Sequence, residues 1–169
     1  MLCGFFDSFD GIVARSKKDR TEEEKEFGIQ IDSLVDLISF GVYPAIIAYS
    51  MGFKSFPCLI IFIIYILGAV IRLGYFNVME DMRQQQTTEK RKYYQGLPVT
   101  SSCLIFPMIY CLTVCLSVPQ VLFVYLIGLL VVGILFVANI KVIKPDFKGV
   151  LGLIGFGIIL LILLLKVLY

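Results

Sequence analysis

Five long apolar stretches limit what this chain can become more than any other feature. A helix must run for about 20 mostly apolar residues to cross the hydrocarbon of a bilayer. Such stretches extend from Ile31 to Gly52, Phe56 to Met79, Val99 to Val118, Gln120 to Ile140 and Val150 to Val167. The last is the most apolar, with an unbroken run from Ile158 to Leu165. Lipid offers no partner to backbone N–H and C=O groups, so such a segment must satisfy them within itself, as a helix does. Hydrophobic residues make up 59% of the 169 and charged ones only 17%, too little polar surface to coat a water-soluble body. The expected fold is all-α: a polytopic integral membrane helix bundle with five spanning helices, one membrane domain over residues 1–169. A secreted mini-domain, a nucleic-acid module and a disordered tail are excluded, and no nucleic-acid partner is expected.

Punctuation agrees with these boundaries. Pro57, Pro98, Pro119 and Pro145 fall at or just before segment starts, where a missing N–H does least harm. The five cysteines lie in apolar surroundings without a CxxC pair, and there is no histidine, so inert buried thiols are expected rather than a zinc site or a disulfide framework. The apolar start, Met1 to Phe6, is too short to span a bilayer. It reads as a short N-terminal helix or as the remainder of a longer one.

Basic residues alternate along the connections. Residues 15–27 hold Arg15, Lys17, Lys18, Arg20 and Lys25; residues 80–97 hold Arg83, Lys90, Arg91 and Lys92; residues 141–149 hold Lys141, Lys144 and Lys148. The intervening connections hold only Lys54. Because cytoplasmic loops collect Lys and Arg, the three basic connections are expected in the cytoplasm, with twelve of fifteen cationic side chains on that side. The same loops can attract anionic headgroups of membrane lipids.

Four aspartates carry the chemistry. At 100° per residue, Asp7, Asp10, Gly11, Ala14 and Arg15 share one helix face. Gly28, Asp32 and Asp36 form a second stripe at four-residue intervals. Each face presents two carboxylates beside residues too small to block a ligand. The polar connection Ser16–Phe27 joins them on the basic side and places both pairs near the membrane surface. Facing carboxylates repel and are costly in lipid, so a cation has to compensate. With oxygen donors alone, that cation is a hard divalent ion, Mg²⁺ or Mn²⁺, singly or as a pair. The competing reading makes them solvated helix-end residues stabilised by Arg15, Lys17 and Lys18. That reading suits Glu22, Glu23, Glu24 and Glu26, which are expected in a solvated loop.

The pattern D-x2-D-G-x2-A-R…G-x3-D-x3-D, filled by Asp7, Asp10, Gly11, Ala14, Arg15, Gly28, Asp32 and Asp36, resembles the signature of the CDP-alcohol phosphotransferases. Within that family the segments 27–34, 38–45, 71–77 and 94–98 are similar to the phosphatidylserine synthase branch. Two departures stand out. Twelve residues separate Arg15 from Gly28, more than the family's usual interval, and the family places more helix before the first Asp than this chain has. The resemblance therefore implies a chain lacking the N-terminal helix region.

The resemblance implies transfer of a phosphatidyl group from CDP-diacylglycerol to L-serine and a homodimer, while the basic connections lead to the expectation of a site facing the cytoplasm. It implies that Asp7, Asp10 and Asp32 hold metal ions, and that Asp36 touches the second metal and acts as general base. It further implies that Gly11, Ala14 and Gly28 admit the cytidine and pyrophosphate, with Arg15 pairing a phosphate. Arg72 lies well inside a predicted span, where a charge marks a functional candidate. It is expected to bind a phosphate or the serine carboxylate with Asn77 nearby, or else to pair with one of the aspartates. Tyr93, Tyr94 and Gln95 are candidates for the acceptor pocket, the tyrosines equally for an aromatic belt. Alternatives are glycerol 3-phosphate or inositol phosphate as acceptor, a non-catalytic membrane fragment, and a cation transporter. A transporter should distribute acids over several spans, whereas the last three stretches contain none.

Overall fold

The computed structural model describes residues 3–4, 6–7, 19–87, 93–145 and 147–168. Helix α1 (Glu22–Asp36) begins further upstream than hydropathy predicts. The cause is local: the Thr21 hydroxyl accepts the Glu24 N–H while the Glu24 carboxylate accepts the Thr21 N–H, each at 3.2 Å. This reciprocal cap satisfies two donors that a helix start otherwise leaves open. Lys25 adds a 2.6 Å ion pair to Glu22. The four glutamates expected in a loop are thus exposed residues of the first turns of α1, a correction to the sequence reading.

From Leu37 to Val42 the chain is wound as a π-helix, and it continues as α2 (Tyr43–Ser50) with Pro44 in its first turn. Helix α3 (Phe56–Gln86) also outruns its predicted end at Met79. Side-chain pairs carry the extension: Glu80 with Arg83 at 2.6 Å, and Asp81 with Gln85 at 3.0 Å. The third stretch is shorter than expected. A 3-10 turn (Val99–Ser101), α4 (Ser102–Cys111) and a second 3-10 turn (Leu112–Val114) make one broken rod. Pro107 removes a bond inside α4, and the Thr113 hydroxyl caps the Tyr110 carbonyl at 2.9 Å. Helices α5 (Val118–Val137) and α6 (Phe147–Leu168) complete the bundle. Among the described residues, four helices are long and apolar enough to cross a membrane, and the broken rod is a shorter fifth.

The core lies between α3 and α5 and is closed by the π turn, α2 and α4. Tyr65 is its centre, with its ring 5.7 Å from Phe106 and 5.5 Å from Phe136. A Cβ on Gly68 would stand 2.5 Å from the Gly133 carbonyl oxygen, and one on Gly133 would stand 2.9 Å from the Tyr65 Cα. Two glycines thus let the backbones of α3 and α5 touch, the usual way helices associate where lipid removes any hydrophobic drive. All five cysteines are free thiols; Cys58 is buried, but Cys3 and Cys115 are exposed, because a membrane protein can turn apolar side chains outward.

A small element escaped sequence reading. Strands β1 (Tyr93–Gln95) and β2 (Lys141–Ile143) pair antiparallel, Tyr94 opposite Val142. Gly96, with φ of +80°, turns the chain out of β1; its N–H donates to the Ile140 carbonyl at 2.6 Å. Three-residue strands far apart in sequence leave no periodic signal.

Candidate functional site

Helix α1 carries the second acidic stripe along an exposed flank of the bundle. None of its residues is buried; Asp32 is exposed, while Gly28 and Asp36 are half-buried. Intervals of four residues keep Gly28, Asp32 and Asp36 on one side, as predicted from the spacing. Arg20 folds back along this side. Its Nη2 donates to the Glu24 carbonyl at 3.1 Å and would stand 2.7 Å from a Cβ on Gly28. A cationic side chain therefore covers the glycine, one turn before Asp32.

The first aspartate, Asp7, belongs to the N-terminal segment. Cys3, Gly4, Phe6 and Asp7 are helical, and Asp7 is half-buried. One turn before Asp7, a Cβ on Gly4 would meet the Cys103 Sγ at 2.6 Å and the Phe40 ring at 3.8 Å. This segment is thus docked on the start of α4 and on the π turn that follows Asp36. Asp10, Gly11, Ala14 and Arg15 lie outside the described residues. Among the described residues no three His, Cys, Asp or Glu side chains could hold a metal ion, so Asp7, Asp32 and Asp36 do not complete a cage by themselves.

Helix α3 braces α1. The Asn77 side-chain amide donates to the Ser33 hydroxyl at 2.7 Å, between Asp32 and Asp36 in sequence. Asn77 was a candidate for binding the acceptor; the structure gives it a bond that sets α1 against α3. Ser33 was missed because a lone serine inside an apolar stretch carries no signal of its partner.

Arg72 is buried at 5% exposure. Its Nε donates to the Leu97 carbonyl at 3.1 Å, and its guanidinium carbon lies 5.6 Å from the centre of the Phe76 ring. Phe76 in turn packs 5.9 Å from Tyr94, over which Lys144 sits at 5.8 Å. The Leu97 N–H donates to the Leu135 carbonyl at 3.1 Å. Arg72 thus fastens the turn after β1 to α3 while α5 holds its other side. Gln95 accepts from the Tyr75 hydroxyl at 2.7 Å, and Tyr93 stands exposed. Arg72 and Asn77 lie in the second half of α3, and Gln95 closes β1.

Likeness to known proteins decides the family. A family model described as CDP-alcohol phosphatidyltransferase matches residues 1–136. The chain belongs to that family. A CDP-diacylglycerol–serine O-phosphatidyltransferase from Saccharomyces cerevisiae is 39% identical over 108 residues, covering 63% of this chain and 38% of the relative. One of the same name from Helicobacter pylori is 32% identical over 167 residues, covering 94% of this chain and 63% of the relative. An archaetidylserine synthase from Methanothermobacter thermautotrophicus is 33% identical over 151 residues, covering 88% and 58% respectively. The chain spans about half the length of the curated relatives it matches.

The family uses a divalent cation, and the donor chemistry on α1 fits one. Its stripe offers carboxylate oxygen and no sulfur or imidazole, the donor type that hard divalent cations favour.

Proposed function

We propose that this chain transfers a phosphatidyl group from CDP-diacylglycerol to the hydroxyl of L-serine, giving phosphatidylserine and CMP. The observation that carries this reading is the stripe Gly28, Asp32 and Asp36 along one side of α1, inside the family match. Relatives named for serine transfer support the choice of acceptor.

In this reading Asp7, Asp10, Asp32 and Asp36 hold the divalent cation, which offsets charge on the pyrophosphate oxygens when bound. Gly11, Ala14 and Gly28 leave room for the nucleotide, and the Arg20 side chain swings off Gly28 to admit it. Arg15 pairs with a phosphate oxygen. The Asp36 carboxylate takes the proton of the serine hydroxyl as its oxygen attacks the phosphorus that bears the diacylglycerol. The bond from that phosphorus to the bridging oxygen breaks, and CMP leaves. Arg72 and Gln95 border the acceptor side, with Asn77 holding α1 in place. The site faces the cytoplasm, following the basic connections, and the protein works as a homodimer.

The test is an assay of membranes carrying the chain with CDP-diacylglycerol and a panel of alcohols. CMP release that depends on serine is expected. Release that depends instead on glycerol 3-phosphate or inositol phosphate reassigns the acceptor, and none with any alcohol refutes the reading.

A further inference from the structure

The span that holds Asp32 and Asp36 contains a change of register. α-Helical bonding would bring the N–H of residue 44 to the Phe40 carbonyl, but residue 44 is proline and has none. The Tyr65 hydroxyl from α3 and the Ser102 hydroxyl from α4 donate to that carbonyl instead, the latter at 3.2 Å. Both side chains are buried. Around this point Leu37–Val42 is π-wound, with the Tyr43 N–H donating to the Ile38 carbonyl five residues back. On the far side Tyr125 donates to the Pro44 carbonyl at 3.2 Å, so the downstream helix is held as well.

One extra residue in a helical turn rotates the two sides relative to each other by about 100°. The buried face of the lower half, Phe40, Pro44, Ala45 and Ala48, is anchored in the core. The rotation is therefore felt upstream, where Asp36 lies one turn before Phe40. The segment that carries Gly4 and Asp7 also docks on the Phe40 ring through Gly4.

We propose that Tyr65 and Ser102 are positioning residues: by holding the carbonyl that Pro44 leaves without a helical donor, they keep the π turn and so aim Asp32 and Asp36. This rests on the role assigned above to the two aspartates. The hydroxyls act through the backbone at a distance from the reacting atoms.

Pro44→Ala tests it, because alanine supplies the missing N–H and allows plain α-helical winding. The variant stays folded, while kcat falls by about 100-fold, the loss expected when reacting groups are misplaced. A second readout needs no activity. The Ser33–Asn77 contact reports the rotation of α1, so the pair Ser33→Cys with Asn77→Cys forms a disulfide in the otherwise unaltered chain, read as a linked peptide by mass spectrometry. A 100° turn sweeps surface atoms through about 8 Å, so adding Pro44→Ala abolishes the link. The double variant Tyr65→Phe with Ser102→Ala keeps Pro44 and lowers both kcat and the yield of the link. An unchanged link with Pro44→Ala, or unchanged kcat in the double variant, overturns the proposal. If the unaltered chain releases no CMP, the function reading fails, and the link alone decides the register.

Discussion

Alanine at Gly68 and alanine at Gly74 are the same change on the same helix, and the structure expects opposite outcomes. At Gly68 the new Cβ would stand 2.5 Å from the Gly133 carbonyl oxygen. Ordinary contact begins at 3.4 Å, so the shortfall is 0.9 Å, and the obstacle is backbone that cannot rotate away. Helices α3 and α5 must part there, in the centre of the core. Overpacking of this kind costs about 1–3 kcal/mol. At Gly74 nothing lies within 4 Å, and alanine only gains what glycine loses inside a helix, about 0.5–1 kcal/mol. The two variants should therefore differ by about 1–3 kcal/mol in unfolding free energy, since the helix gain is common to both. Reversible unfolding of the purified chain in mixed detergent micelles, followed by circular dichroism, measures this. Equal stability of the two variants would refute the close crossing of α3 and α5.

Other outcomes follow from the site and its supports. Asp36→Asn keeps the shape of the side chain but removes the base, so CMP release should fall by about 100-fold or more while CDP-lipid binding persists. Unaltered turnover in a single-turnover assay would remove Asp36 from that role. Chelation with EDTA should stop the reaction, and Mg²⁺ or Mn²⁺ should restore it, whereas activity that survives exhaustive chelation contradicts a divalent cation on the carboxylates. Thr21→Ala breaks the reciprocal cap of α1 and should cost about 1 kcal/mol locally. Hydrogen exchange would show faster exchange of the Glu22–Lys25 amides, with global stability nearly unchanged.

The spans were legible because lipid tolerates little besides apolar helices, and prolines 57, 98, 119 and 145 marked where segments begin. Helix ends were less legible. Hydropathy stops at Met79, but Glu80, Asp81, Arg83 and Gln85 continue α3 through their own pairs. The acidic stripe on α1 was readable from spacing alone, as was the singular position of Arg72. Its hold on the Leu97 carbonyl was not, since that depends on how the chain returns after β1. The π turn lay further out of reach. Pro44 announces an acceptor without a donor, but the hydroxyls that answer it stand 25 and 62 residues from Phe40.

The ribbon of β1 and β2 has a consequence for how the molecule tolerates being cut. It joins the chain just before α4 to the chain just after α5, with the Gly96–Ile140 bond at its base. Those two rods and their connection at Ser117 form a closed lobe, pinned at its neck and packed rod against rod. A break in the covalent chain at the tip of that lobe releases neither piece, because each stays sewn to the rest at the neck. Such a molecule could be supplied as two separately made parts, with the join in the turn between α4 and α5.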